Sequence, residues 1–173
     1  MSPSRSHCQM NSLPLDLNQK TRLTDSQKAT LERIETEDFP FVWERLKMEG
    51  RLIESEIPIL EREFKRFLVL ILLDIKPLAM IGPKIDEIWH QFILFTAQYG
   101  SFCQGAFGRF IHHQPNTPTT PVPPEAWTNF LTGYREHFGE IPRVWADGMD
   151  DDALAYFRGV PRSFPSKWSG WTG

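Results

Sequence analysis

The chain has little that would tie it to an oxidising compartment, a membrane or a nucleic acid. Only two of its 173 residues, Cys8 and Cys103, are cysteines. Cys8 lies in a polar stretch without periodicity, so the pair reads as free thiols in a reducing compartment rather than as a disulfide. The strongest apolar run, residues 67–73, falls far short of the roughly 20 residues that a bilayer-spanning helix requires. Met1-Ser2-Pro3-Ser4-Arg5-Ser6-His7-Cys8 lacks the apolar centre of a secretory signal, and a cytoplasmic location is the expectation. With 19 basic against 22 acidic residues the net charge is -3, which gives no electrostatic case for sequence-independent binding to DNA or RNA. Lys65-Arg66 is the only short basic cluster, and no internal repeat is visible.

What is present is the composition of one globular domain, 40% hydrophobic and 24% charged. The expected fold class is all-α: a compact bundle of about five helices with an irregular Gly/Pro-rich loop region around 100–123. Residues 1–22 read as a flexible arm, 23–158 as the single helical domain and 159–173 as an irregular tail.

Thr24-Asp25-Ser26-Gln27 has the form of a capping box and opens a first helix with Leu31 and Ile34 on its apolar stripe. A second piece runs over residues 41–48 and stops at Gly50. A third, over 55–75, carries Leu60, Phe64, Phe67, Leu68 and Ile71 at helical spacing and ends in a run apolar all round, which places it at the centre of the core. A fourth starts near Pro83, with Ile85, Ile88, Phe92, Phe95 and Tyr99 as its stripe. Gly100, Gly105 and Gly108 then punctuate the chain, and the five prolines of residues 115–124 exclude regular structure there. A last long helix is expected over 124–138, closed by Gly139, and Asp150-Asp151-Asp152 begins a short one through Phe157.

Chemistry concentrates between residues 86 and 115. Asp86 and His90 are four apart and share a helix face. That arrangement suits a ligand pair or an acid–base pair, and equally a histidine that merely hydrogen-bonds to a carboxylate. Cys103, His112 and His113 add preferred ligands of zinc, with iron and copper also suited to imidazole, although the spacing matches no zinc-finger pattern. An unbroken helix over 85–103 would hold His90 and Cys103 about 20 Å apart at 1.5 Å per residue, so Cys103 joins His90 only if the chain reverses near Gly100-Ser101. Adjacent histidines in an extended segment point to opposite sides. The expected set is therefore His90 with one of His112 and His113, and Asp86 as a ligand or as the group that orients an imidazole. The same residues admit an enzyme, with Cys103 as nucleophile, His90 or His112 as base and Asp86 orienting it. His137, near a helix C-terminus, reads as structural. Trp89, Phe92, Phe95, Tyr99, Phe102, Phe107 and Phe110 read as core rather than as a base-stacking platform.

Ile85-Asp86-Glu87-Ile88-Trp89-His90, Phe95-Thr96, Tyr99, Phe102-Cys103, Gly108, Phe110-Ile111-His112-His113 and Pro115 together resemble the glycine-rich domain-containing proteins, known from plants with shorter bacterial and fungal relatives. Tyr134, Phe138-Gly139, Pro142 and Trp145 look like the same pattern, as does the upstream Glu63-Phe64-Lys65-Arg66-Phe67-Leu68, so the resemblance covers about residues 55–147. Plant members have been connected with development and stress responses, and some are proposed to bind RNA. With 11 glycines this chain lacks the extension that names the family, and roles carried by that extension do not transfer. The resemblance implies a functional centre at Asp86, Trp89, His90, Cys103, His112 and His113.

The leading expectation is a domain that binds one transition metal, zinc favoured, through residues drawn from Asp86, His90, Cys103, His112 and His113, and that serves as a binding or structural module. The alternatives are a metal-assisted hydrolase or Cys-His thiol enzyme, and a metal-free protein-interaction domain. In the last, the Pro-rich stretch and Trp168-Ser169-Gly170-Trp171 would meet a protein partner.

Overall fold

The computed structural model describes residues 14–159 and 170–172; Cys8, His7 and Trp168-Ser169 lie outside them. The helix at the centre is α3, Ile57–Leu72, and every residue from 63 to 71 is buried. The apolar run at its C-terminal end accounts for this, since a helix hydrophobic all round must be covered on all sides. Around it pack α1 (Asp25–Thr36), α4 (Pro83–Leu94) and α6 (Pro124–Phe138), while α2 (Pro40–Met48) lies against α4. The Thr24/Gln27 capping box opens α1, with Leu31 and Ile34 buried as the spacing predicts. In α6 the proline start and the Gly139 stop are both present.

The mostly helical class holds, with seven α-helices among the described residues rather than about five. One of the additions is α5, Thr96–Phe107, most of which lies in the region around 100–123 expected to be irregular. The chain breaks at Phe95 (φ -84°, ψ 63°), not at Gly100-Ser101, and α5 folds back against α4. A helical glycine costs about 1 kcal/mol relative to alanine; two of them are outweighed here by Tyr99, Phe102, Cys103 and Ala106, a buried stripe at i, i+3, i+4 and i+7. A Cβ at Gly105 would stand 2.5 Å from the Arg33 guanidinium carbon, the far end of a flexible side chain that can shift. Gly108 closes the helix in the left-handed region at φ 65°, where glycine is favoured. The other addition, α7 (Asp151–Phe157), is the short helix foreseen after Asp150, whose side chain caps it.

Three short strands lie outside the all-helical expectation. β1 (Leu78–Ala79), β2 (Gln114–Pro115) and β3 (Gly170–Thr172) form an antiparallel sheet in the order β1-β3-β2. Thus Pro115 of the proline-rich stretch and residues 170–172 of the tail carry regular backbone pairing, with Gln114 opposite Trp171 and Leu78 opposite Thr172. At the other end, residues 14–22 fall within the expected arm, yet Leu17 is buried and Asn18 N–H donates to the His137 carbonyl at 2.8 Å.

Lys65-Arg66 forms no basic patch, because both side chains are buried and committed internally. Lys65 donates to the Glu35 carbonyl and pairs with Glu61. Arg66 donates to Glu63, to the Tyr134 hydroxyl, to the Leu15 carbonyl and to Asp16. Glu63, fully buried, also accepts from Tyr134 Oη and, at 2.8 Å, from Trp145 Nε1. A charge buried this deeply is tolerated only when paired and hydrogen-bonded. The network ties α3 to α6 and to the turn at Arg143–Trp145.

Candidate metal centre

Helix α4 supplies two of the site residues. Asp86 sits in its first turn, where the helix dipole favours a carboxylate, and His90 follows one turn later on the same face. The Asp86 side chain is 4% exposed and that of His90 42%. His90 Nε2 lies 3.7 Å from Asp86 Oδ2.

The third residue arrives from the segment after α5. Gly108 turns the chain, and residues 109–113 return past α4 without regular structure. Burial alternates along it: Ile111 is buried, His112 is exposed, and the His113 side chain is 2% exposed. His113 Nε2 stands 2.8 Å from Asp86 Oδ1. Its ring contacts the indole of Trp89, 4.4 Å away, and the imidazole of His90, 4.7 Å away and nearly parallel at 21°. The buried Nδ1 of His113 has no hydrogen-bond partner among the described residues.

The loop is anchored to the helix by a short hydrogen-bond chain. Trp89 Nε1 donates to Tyr99 Oη at 3.0 Å, and Tyr99 Oη donates to the Ile111 carbonyl at 2.5 Å. Burial pushes the Tyr99 phenol far above its ordinary value, which keeps the donated proton in place.

Of the five expected site residues the structure brings three together. One ligand atom from each of Asp86, His90 and His113 lies within 4.8 Å of the others. His112 and Cys103 do not join them. His112 points outward, with its ring 5.0 Å from that of Phe110. Cys103 is held in the core on α5, where burial raises its thiol pKa. The two halves of the motif therefore meet through His113, one of the two candidate histidines. His137 hydrogen-bonds to Thr21 at 2.9 Å, away from this cluster.

Two nitrogens and one carboxylate oxygen make a donor set suited to zinc and to other first-row metals. Four ligands arranged tetrahedrally at about 2.0–2.2 Å from an ion stand roughly 3.3 Å apart. His113 and His90 approach different oxygens of Asp86, at 2.8 and 3.7 Å, and one donor atom from each of the three residues lies within 4.8 Å of the others. Tyr99, part of the resemblance but read as core, is the participant that the expected centre leaves out. Its signal is a hydroxyl inside an otherwise phenylalanine-rich stripe, where a buried phenol demands a partner.

Fold and cluster together define a helical domain with a partly buried Asp–His–His centre at the junction of a helix and a returning loop. The chain belongs to the UCP032817-like family, whose model matches residues 29–125. That span includes all three members of the cluster and the whole of α2 to α5. No curated protein and no solved structure matches the chain.

Proposed function

We propose that Asp86, His90 and His113 bind one divalent transition metal, zinc by preference, and that the domain works as a metal-dependent binding or structural module. The observation that carries this reading is the convergence of the three ligand atoms from residues 27 apart in sequence. Their chemistry matches three-ligand metal sites, in which solvent or an external ligand completes the coordination.

A second reading, metal-assisted hydrolysis, draws on the 42% exposure of the His90 side chain. An ion held there would keep a position facing water, as catalytic sites do and closed structural sites do not. A thiol mechanism gains nothing from the geometry, since Cys103 is buried and its thiol shifted upward, opposite to an activated nucleophile. In the glycine-rich domain-containing pattern, we read Asp86, Trp89, His90 and His113 as the centre, and Glu63, Tyr134 and Trp145 as a separate network of the core.

Metal analysis of the purified protein, followed by zinc titration of the apo form, tests the proposal. One equivalent bound by the wild type, and weaker binding by His90→Ala and His113→Ala, is expected. A folded wild type that takes up no zinc ends it.

A further inference from the structure

His113 is the ligand least determined by regular structure, since it belongs to a loop, whereas Asp86 and His90 are fixed by one helix. We infer that Trp89 and Tyr99 are positioning residues that set the third ligand relative to the first two; the inference rests on the metal-binding reading above. The juxtaposition is specific. Trp89 lies on α4 between Asp86 and His90, and its ring packs on His113. Its indole N–H, which can only donate, meets Tyr99 Oη. The single phenolic proton is then directed to the carbonyl of Ile111, two residues before His113. The helix that carries two ligands thereby holds the third from both sides, by ring contact and by a backbone anchor.

Each link is buried and each polar atom in the chain has a partner, with the Cys103 thiol also interacting with the Tyr99 hydroxyl. Outer groups that orient metal-binding histidines change metal affinity by about 10–100-fold when removed. Tyr99→Phe deletes the donor to Ile111 and the acceptor for Trp89 while keeping the ring that packs against Phe92 and Phe110.

Cobalt(II) titration, followed by visible absorption, tests this on the full-length protein. Tyr134→Phe is the control, because it removes a similarly buried hydroxyl from the separate Glu63 network. Tyr99→Phe is expected to weaken cobalt binding at least about tenfold and to reduce the intensity of its d–d bands as the third ligand loosens. Tyr134→Phe is expected to keep wild-type affinity and spectrum at comparable loss of thermal stability. Should Tyr99→Phe not fold, Trp89→Phe, which loses only the indole donor and part of the stacked surface, is expected to weaken binding in the same direction. Cobalt binding by a folded Tyr99→Phe within twofold of wild type overturns the inference and leaves the metal site standing, as does equal weakening in Tyr134→Phe. No binding by the wild type removes the site itself and this inference with it.

Discussion

The indole of Trp89 and the imidazole of His113 lie 4.4 Å apart, centroid to centroid, with their planes inclined by 35°. The contact makes Trp89 a reporter of what happens at His113. A paramagnetic ion such as copper(II) bound there is expected to quench the emission of the wild type. Trp89→Phe, which keeps the other five tryptophans, is expected to lose most of that change. Equal quenching in the two proteins would place the ion elsewhere.

His90→Ala separates metal affinity from stability. Its side chain is 42% exposed and its carboxylate contact is long, so the stability cost is expected to be within about 1 kcal/mol. Asp86→Ala strips a buried partner from His113 Nε2 and is expected to cost about 1–3 kcal/mol in urea denaturation. Both variants should bind zinc more weakly than the wild type in a chelator competition.

Glu63→Ala is expected to be the most damaging single change in the polar interior. It removes the anion facing Arg66 and strands the donors of Tyr134 and Trp145. Breaking a buried pair from one side costs about 3–5 kcal/mol. Tyr134→Phe should cost less, about 1–3 kcal/mol, and both effects can be read from thermal or denaturant melting.

His137 predicts a slope of stability with pH. Burial lowers its pKa below the unfolded value, with Glu136 opposing in part. The folded state therefore favours the neutral ring. Its contribution is fully present above the unfolded pKa of about 6.5 and is lost as pH falls through the folded value. Denaturation at pH 7.5 and 5.5 should show a smaller difference for His137→Gln than for the wild type.

Cys103 is expected to resist alkylation in the native state, being 1% exposed with its thiol pKa raised by burial. A Cys8→Ser protein treated with iodoacetamide at pH 8 should react only as fast as it unfolds. Rapid native-state labelling would contradict the burial.

The elements legible in the sequence were those whose local signals agree with their tertiary setting. The Thr24/Gln27 box, the apolar run of α3 and the proline start and glycine stop of α6 all fall into place. Residues 100–107 are helical against expectation because the buried Tyr99/Phe102/Cys103/Ala106 stripe outweighs the low helix propensity of Gly100 and Gly105. The break at Phe95, which carries no glycine or proline signal, brings Tyr99 within hydrogen-bonding reach of Trp89. For the site, the i, i+4 pair was readable because a helix fixes it. The choice between His112 and His113 was not, since it depends on how the returning loop alternates against α4.

The loop around His113 is pinned at both ends: the Ile111 carbonyl by Tyr99, and Gln114 by pairing opposite Trp171 in β3. Fixing a residue's backbone costs about 1–2 kcal/mol in conformational entropy, and here folding has already met that cost. An ion or ligand arriving at His113 would have little left to order beyond the side chain of His90. Binding at this centre should accordingly proceed with a small entropic penalty and almost no change in hydrogen-exchange protection across residues 109–115.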